Sequence, residues 1–346
     1  MSILEIDNLS LRYPGAATPA VNGISLTLAE REILALVGES GCGKSSTLRM
    51  IAGLEYPQEG EIRYAGKLLN RPGYAVPPEE RSIGMVFQDN ALFPHLTVAE
   101  NILFGLQNNG RERLSMLTEL TGLRGLEERY PHQISGGQMQ RVALARALAP
   151  EPELLLMDEP FNNLDIRIKR ALLKDIASII RATGTACLFI THEKEEAFIL
   201  ADRISVMREG RLLQTAIPRD IYSRPANTYV AEFFGRANLV PVDSVAEGFR
   251  SPFGLIPYSE QKSVADYPSR GFLIHRPWDI ELESEEGFEA EIVETYFFGD
   301  YQEVRFRPLA YTGGSFKFFT HSMHPLRVGD RLRLGIDGAR LSFCRE

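Results

Sequence analysis

One stretch near the start of the chain has the residue types and the spacing of a phosphate-binding loop. It follows the apolar run 33–37, opens a helical pattern over 46–52, and reads Gly38-Glu39-Ser40-Gly41-Cys42-Gly43-Lys44-Ser45. Glycines in such a loop let backbone N–H groups point inward around the β- and γ-phosphates, and the helix N-terminus adds a favourable dipole. The lysine supplies a point charge, and the serine after it supplies a Mg²⁺ ligand. The alternative, a glycine-rich turn with an incidental lysine, does not explain the strand and the helix on either side.

Two carboxylates follow a second apolar run at 153–157. Asp158 and Glu159 therefore emerge at the carboxyl edge of the predicted sheet, where open α/β folds bind their ligands. Asp158 can join the coordination shell of Mg²⁺, and Glu159 can polarise a water molecule in line with the γ-phosphate. Acidic residues after a strand can also be helix caps. Beside a phosphate loop, the sequence favours the catalytic interpretation.

Two more polar residues stand at predicted strand ends. Gln88 follows the apolar run 83–87, and His192 follows a strand that ends at Thr191. Each could reach the γ-phosphate or its metal, but a lone glutamine or histidine in such a place is as often a helix cap or a packed polar residue. Their spacing alone leaves both interpretations open.

A second glycine-containing loop, Ser135-Gly136-Gly137, opens the helical pattern 138–148. It predicts another anion site at a helix N-terminus, this time with a hydroxyl group attached. One nucleotide cannot be held by both loops within one compact monomer. The sequence therefore predicts a head-to-tail pair of copies with two-fold symmetry, in which the serine-glycine-glycine loop of each copy closes over the ATP held by the phosphate loop of the other.

The elements that must position these residues indicate an α/β fold. Over 3–208, short β-rich runs alternate with helical patterns, as in a parallel sheet covered by helices. Buried strands are predicted at 33–37, 153–157 and 186–190, and apolar residues at helical spacing predict a crossover helix that ends near Gly184. The stretch 90–150 has little strand character and predicts a helical insertion.

The C-terminal part of the chain has a different pattern. Short alternating pieces broken by Gly and Pro, such as 271–276 and 331–334, predict a small β-barrel or sandwich. We therefore divide the chain into domains 1–237 and 238–346.

The composition excludes several classes of protein. The chain has 346 residues, 44% hydrophobic and 24% charged, which suits two folded domains. A net charge of -8 argues against a nucleic-acid partner. We expect no secretory signal, and the apolar runs are far shorter than the ~18 residues that a membrane helix needs. The three cysteines have no metal-ligand spacing and fit a reducing cytoplasm.

The order of these motifs resembles the ATP-binding subunit of ATP-binding-cassette (ABC) transporters over residues 3–235. Besides the phosphate loop, the resemblance is carried by a signature loop at 134–138 with Ile where Leu is usual, by Gln88 as the Q-loop, by Leu164-Asp165 as the end of the D-loop, and by His192 as the switch histidine. It implies an ATPase that uses ATP and Mg²⁺, with Glu159, His192 and Gln88 acting in hydrolysis and Ser45, Gln88 and Asp158 around the metal. It also implies contacts to the nucleotide from Tyr13, which would stack on adenine, and from Val21, Ser46, Gln138 and Asp165.

Two segments depart from the family pattern. The D-loop reads Asn162-Asn163-Leu164-Asp165 where Ser-Ala-Leu-Asp is common, and the segment after the switch histidine reads Glu193-Lys194-Glu195-Glu196 where Asp-Gln/Arg-Glu-Glu is typical. Neither change replaces a phosphate ligand, so we expect activity to be retained. The asparagines could alter communication between the two nucleotide sites.

Through His275-Arg276-Pro277, the C-terminal domain is similar to the OB-like regulatory and dimerisation domain of importer ATPases that serve sugars, polyamines, sulfate, molybdate and ferric iron. Trp278 stands where that pattern continues with Glu. The strings 92–98, 129–132 and 158–161 look most like the ferric-iron branch. In this family the membrane subunits and the external binding protein select the solute, so this chain is not expected to touch it.

The resemblance implies an ATPase at the cytoplasmic face of the inner or cell membrane, held there by permease subunits and fed indirectly by a periplasmic or extracellular solute-binding protein. An importer of sugar, polyamine, sulfate or molybdate is the alternative. A soluble ABC ATPase that remodels DNA or ribosomes would need sustained heptads or basic surfaces, which the sequence lacks. A P-loop kinase or GTPase leaves the serine-glycine-glycine loop unexplained. His321 and His324 have no ligand partner at suitable spacing and are interpreted as surface imidazoles.

Overall fold

The computed structural model describes residues 2–106, 110–162, 166–258, 267–285, 287–321, 326–337 and 341–344, without the side chains of 166–168. The chain divides into two units, Met1–Pro218 and Arg219–Glu346. The strands of the first unit are β1 (Ser2–Leu11), β2 (Val21–Ala29), β3 (Ile33–Val37), β4 (Glu59–Tyr64), β5 (Lys67–Arg71), β6 (Tyr74–Ala75), β7 (Ile83–Val86), β8 (Leu154–Asp158), β9 (Ala186–Thr191), β10 (Arg203–Arg208) and β11 (Arg211–Ala216). Its helices are α1 (Lys44–Ala52), α2 (Val98–Leu103), α3 (Gly110–Leu120), α4 (Gly136–Leu148), α5 (Ile166–Thr183) and α6 (Lys194–Leu200).

A six-stranded sheet in the order β11-β10-β3-β9-β8-β7 carries the residues of the predicted site. Neighbours from β10 to β7 are parallel, and β11 pairs antiparallel with β10. Strands β3, β8 and β9 are buried at every position, as in a parallel sheet covered on both faces. The three strand predictions are confirmed, with β8 shifted by one residue and β9 one residue longer. The crossover helix is α5, and Gly184 follows it with a φ of 68°.

The first unit also contains an antiparallel sheet, in the order β2-β1-β4-β5-β6. The prediction of one parallel sheet over 3–208 does not include it and is wrong for this part of the chain. A parallel pair needs a connection of about a dozen residues or more. Because β4 and β5 are joined by Ala65 and Gly66, and β1 and β2 by the short stretch 12–20, these neighbours pair antiparallel.

The helical insertion at 90–150 is confirmed. It contains α2, α3 and α4, and its described residues form no strand. Thr97 begins α2 with a capping box to Glu100. Helix α4 packs against α2, β7 and α5.

The second unit is rich in strands, as predicted. After the short helices α7 (Pro218–Ser223) and α8 (Thr228–Phe234), its strands are β12 (Asn238–Val245), β13 (Gly248–Ser251), β14 (Gly254–Pro257), β15 (Arg270–His275), β16 (Ile280–Leu282), β17 (Phe288–Phe297), β18 (Tyr301–Pro308), β19 (Phe316–His321), β20 (Arg331–Ile336) and β21 (Ser342–Cys344). They form two five-stranded antiparallel sheets, β14-β13-β12-β15-β21 and β16-β20-β17-β18-β19, that share one apolar core.

The buried side chain of Arg276 joins the helices α7 and α8 to the strands of the second unit. Arg276 donates to the carbonyl oxygens of Tyr222 (2.7 Å) and Ala231 (2.9 Å), and its guanidinium lies 4.1 Å from the centre of the Tyr222 ring. In the structure, residues 219–237 accordingly belong to the second unit. The domain boundary predicted from the sequence places them in the first domain. His321 is exposed at the end of β19, and His324 lies outside the described residues.

Candidate nucleotide-binding site

The phosphate loop connects the buried strand β3 to the helix α1. Gly41 and Gly43 have φ angles of 83° and 108°, and Gly43 is the N-cap of α1. The side chain of Lys44 is 4% exposed and donates hydrogen bonds to the carbonyl oxygens of Gly38 (2.8 Å) and Glu39 (2.9 Å). The loop therefore forms a ring of backbone around one ammonium group at a helix N-terminus, which is a geometry suited to anions.

The backbone of neighbouring segments packs closely against this loop. A Cβ atom at Gly38 would lie 2.2 Å from the carbonyl oxygen of Met207, and one at Gly43 would lie 2.1 Å from that of Ala20. The N–H of Gly210 donates to the carbonyl oxygen of Cys42 at 3.0 Å. Only glycine leaves room for these close approaches, so the two glycines position the loop as well as shape it.

Strand register brings the predicted polar groups to one edge. Thr191 pairs with Val37, Phe189 with Met157, and Met157 with Val86. The predicted site residues stand at the last residue of these strands, as Asp158 does, or just beyond it, as Gly38, Glu159, His192 and Gln88 do. They therefore all lie at the carboxyl edge of the sheet. Gln88 is exposed there, two residues beyond β7.

Asp158 ends β8 with a side chain that is mostly buried, since the residue is 9% exposed. Burial raises the pKa of its carboxyl group, and the charge of Glu159 raises it further. Arg49, a hydrogen bond with Ser45 and the charge of Lys44 act in the opposite direction. The carboxylate of Asp158 is thus mostly buried and in contact with the serine of the phosphate loop.

Glu159 has a left-handed backbone with a φ of 44°, which is uncommon for a residue other than glycine. Its N–H donates to the carbonyl oxygen of Ile190 at 3.1 Å, so the strained turn is anchored to β9. One carboxylate oxygen, Oε1, lies 3.5 Å from Nδ1 of His192. The other, Oε2, accepts a hydrogen bond from the side-chain amide of Asn162. The structure thus brings Glu159 and His192 together at the carboxyl edge of the sheet.

The serine-glycine-glycine loop begins a helix, as predicted. Ser135 is the N-cap of α4, and its hydroxyl accepts from the N–H of Gln138 (3.3 Å) while the side chain of Gln138 accepts from the N–H of Ser135 (2.8 Å). Gln138, expected at the nucleotide, is therefore also a capping residue here. Ser135 is exposed, and Gly136 and Gly137 are half-buried.

Two of the residues expected at the nucleotide, Tyr13 and Ser46, lie near the start of α1. The hydroxyl group of Tyr13 donates to Glu55 at 2.5 Å and is 3.0 Å from Oγ of Ser46, which leaves the ring partly exposed. Val21, by contrast, is fully buried in the apolar core between the sheets. Glu39 and Ser40 are exposed at the loop, and Asp165 lies outside the described residues.

Sequence reasoning missed a charged cluster beside His192. Lys169, in α5, makes ion pairs with Glu193 (2.7 Å) and with Glu196, which is completely buried. The hydroxyl of Thr191 also donates to Glu196, so the residues on both sides of His192 are fixed. The spacing of Glu193 and Glu196 was the one available signal of this cluster. It could not identify their partner, because Lys169 lies more than twenty positions earlier in the chain.

A half-buried arginine of the α4 helix, Arg146, holds the segment after Gln88. Arg146 donates to the carbonyl oxygens of Asn90 (2.8 Å) and Ala91 (2.7 Å), both of which have positive φ angles. Burial lowers the pKa of the Arg146 guanidinium. The helix that begins at the serine-glycine-glycine loop is thereby connected to the segment that follows Gln88.

The described residues contain no group of three or more His, Cys, Asp or Glu side chains placed to hold a metal ion. None of their helices is both long and apolar enough to cross a membrane.

Comparison with known proteins agrees with this site. The family described as ABC transporter matches residues 21–162. The Fe(3+) ions import ATP-binding protein FbpC of Mesorhizobium japonicum is 44% identical over 74% of this chain and 72% of its own length, and FbpC 1 of Rhizobium meliloti is 39% identical over 86% of each chain. The spermidine/putrescine import ATP-binding protein PotA of Pseudomonas fluorescens is 44% identical over 69% of this chain and 67% of its own length.

Solved structures show the same fold. The cbiO1 protein from Clostridium perfringens, part of the ABC transporter complex cbiONQ, aligns with a TM-score of 0.58 and 28% identity over 64% of this chain and 90% of its own. The ATP-binding cassette MJ0796, a dimer bound to ADP and Pi, aligns with a TM-score of 0.54 and 28% identity over 62% of this chain and 99% of its own.

Taken together, the parallel sheet, the phosphate loop and the second serine-glycine-glycine loop define an ABC ATPase. The chain belongs to the family of ATP-binding proteins of ABC transporters, and it is an ATPase whose hydrolysis of ATP is coupled to transport.

Proposed function

We propose that the chain is the ATP-hydrolysing subunit of an importer for ferric iron, acting through a membrane permease that is fed by a solute-binding protein. The observation that carries the proposal is the similarity to the FbpC proteins of Mesorhizobium japonicum and Rhizobium meliloti, named for Fe(3+) import. At 86% coverage, the second alignment extends into the C-terminal unit as well as over the ATPase unit. The site supports the ATPase half independently, because the groups that such chemistry needs lie at one sheet edge.

Import of a polyamine is the second candidate. PotA of Pseudomonas fluorescens, named for spermidine and putrescine, is as identical to this chain, at 44%, as the Mesorhizobium protein. Since no residue of an ATPase subunit is expected to touch the solute, these two candidates are distinguished by transport and not by the geometry of the site.

The residues at the sheet edge fit a Mg²⁺ ion. Ser45 and Asp158 are in hydrogen-bond contact, and Gln88 follows the strand next to that of Asp158. These are the hard oxygen ligands that Mg²⁺ prefers, and Asp158 is only 9% exposed. When bound, the ion neutralises charge on the phosphate oxygens. We assign Ser45, Gln88 and Asp158 to hold it.

The remaining groups of the site have separate tasks in hydrolysis. The phosphate loop, 38–45, and Ser46 orient the phosphates. The ammonium group of Lys44, which donates here to two backbone carbonyl oxygens, donates to phosphate oxygens when ATP is bound. Glu159 accepts the proton of the attacking water, and His192, 3.5 Å from it, contacts the γ-phosphate. Tyr13 stacks on the adenine.

A second copy of the chain completes the site. Ser135 is exposed at the N-terminus of α4, a helix of 13 residues, and so can offer a hydroxyl and a helix dipole to the γ-phosphate held by a partner. The dimeric MJ0796 structure supports a two-fold pair of such cassettes. In the proposed cycle, ATP closes the pair, the helical insertions move with it, and the segment around Gln88 moves the permease at the cytoplasmic face of the membrane.

Glu159→Gln tests the assignment of the base. We expect ATP to bind as in the wild type and turnover to slow by roughly 10² to 10⁴-fold, because the amide cannot accept the proton. ATPase assays, nucleotide titration and size-exclusion chromatography with ATP report the rate, the affinity and a trapped dimer. Glu209→Gln, whose side chain is 81% exposed, is the matched control. Hydrolysis by Glu159→Gln at the wild-type rate would show that the base is another group.

Accumulation of labelled ferric iron tests the solute. Cells whose native copy is replaced by this chain or by its Glu159→Gln variant are compared for uptake of iron, spermidine and sulfate. Loss of iron uptake alone with the variant supports the ferric importer. Loss of spermidine uptake instead would replace iron by a polyamine and leave the ATPase mechanism in place.

A further inference from the structure

The unusual first asparagine of the D-loop contacts the proposed general base. Asn162 stands where the family commonly has Ser, and its side-chain amide donates to Oε2 of Glu159. The other carboxylate oxygen, Oε1, faces Nδ1 of His192 at 3.5 Å. We propose that Asn162 is a positioning residue that holds the carboxylate of Glu159 in the orientation for accepting a proton, an inference that rests on the proposed role of Glu159 as the base.

The chemistry of the contact fixes which end of the amide faces Glu159. An ionised carboxylate has only acceptors, so the NH₂ group must point toward it and the carbonyl oxygen away. The carbonyl oxygen of Asn162 is buried and has no hydrogen-bond partner among the described residues. The orientation of this amide is therefore set by its bond to Glu159 and not by a competing partner on the oxygen side.

Glu159 needs such a contact because its backbone alone does not orient its carboxylate. The φ of 44° and the hydrogen bond to Ile190 fix where the side chain starts. The terminal torsion of a glutamate is broad, however, and the carboxylate can rotate about it. One partner on each oxygen removes that rotation. A base must be held within hydrogen-bond reach of its proton, and a small misplacement lowers the rate.

The family's usual serine cannot make the same contact from this backbone. The hydroxyl oxygen of serine is one bond from Cβ, whereas the amide nitrogen of asparagine is two bonds from it. A serine at 162 would therefore leave Oε2 of Glu159 without this donor. We therefore expect the rate of ATP hydrolysis to depend on the side chain at position 162 more strongly in this chain than in a relative with serine there.

Three substitutions in the purified full-length chain test the proposal. Asn162→Ala and Asn162→Ser remove the donor and should lower kcat about 10-fold while KM for ATP changes less than about twofold. Asn162→Asp, nearly identical in shape, places a second carboxylate against Glu159 and should lower kcat further. A purely structural role would instead change the thermal midpoint or the affinity for ATP.

The background of Glu159→Gln separates this inference from the function on which it rests. If Asn162 acts through the base, Asn162→Ala should have no further effect on the residual single-turnover rate of Glu159→Gln. Wild-type kcat in Asn162→Ala, or the same fractional loss in both backgrounds, would overturn the inference while Glu159 remained the base. Wild-type kcat in Glu159→Gln would instead overturn the assigned base.

Discussion

Gly38 and Gly41 lie in the same loop but exclude side chains for different reasons. A Cβ at Gly38 would meet the backbone of Met207 at 2.2 Å, whereas Gly41 has open space around it and a φ of 83°. Gly41→Ala should therefore cost only the strain of a left-handed residue, about 1 kcal/mol of unfolding free energy. Gly38→Ala should cost about 3 kcal/mol, because a strand must shift. Denaturant unfolding without nucleotide measures both, and equal losses would contradict the steric explanation.

For individual residues, the sequence predicted which residues form the site better than it predicted which of them contact each other. The residues of the predicted site stand at the ends of strands or directly after them: the phosphate loop, Asp158, Glu159 and His192. A parallel sheet brings the carboxyl ends of all its strands to one edge. The bond from Asn162 to Glu159 depends on the turn between them, and the approach of Met207 to Gly38 joins segments far apart in the chain. Neither spacing nor composition contains that information.

The first turns of α5 and the segment around the switch histidine are joined by one buried cation. Lys169 is 7% exposed, and its ion pairs with Glu193 and Glu196 raise the pKa of its ammonium group despite the opposing effect of burial. Lys169→Met would leave the buried carboxylate of Glu196 without its cation and should lower the unfolding free energy by about 3 to 5 kcal/mol.

Denaturant unfolding of this variant beside Lys174→Met, an exposed lysine of the same helix, measures the loss. The double variant Lys169→Met with Glu196→Gln should recover part of it, since it removes the unpaired charge. Equal stability of the two lysine variants would show that the cluster contributes nothing to α5.

Among the elements, prediction succeeded where one physical signal was sufficient. Continuous apolar runs identified β3, β8 and β9, because only buried central strands tolerate them. The antiparallel sheet was missed because alternation, regular in β2 over 24–29 and interrupted in β1, does not state which strands pair or in which direction. The two-sheet unit was predicted only as β-rich, since strand order depends on pairings between distant segments.

For the whole molecule, His275 predicts how stability depends on pH. It is 1% exposed, and burial lowers its pKa to about 4 from an ordinary value of 6.5, with Arg276 acting in the same direction and Asp279 in the opposite one. Between these two values the unfolded chain binds a proton that the folded chain excludes. Stability should therefore fall as the pH falls through this window, by up to about 3 kcal/mol.

His275→Gln removes the titrating group and should flatten this dependence. Calorimetry of the full chain from pH 4 to 7 gives the unfolding transition of each unit, and the wild type is compared with the variant at every pH. The wild type should lose more stability on acidification than the variant. Parallel curves would show that His275 is protonated alike in the folded and unfolded chains.

Arg146 and Ser135 lie near opposite ends of one uninterrupted helix of 13 residues. At 1.5 Å per residue they are about 16 Å apart along its axis, so α4 can act as a lever whose far end is attached to the carbonyls of Asn90 and Ala91. A tilt of about 10° at that attachment would displace the serine by about 3 Å, as much as the length of a hydrogen bond. A small rearrangement after Gln88 is therefore enough to make or break the proposed contact of Ser135 with a phosphate held by a partner.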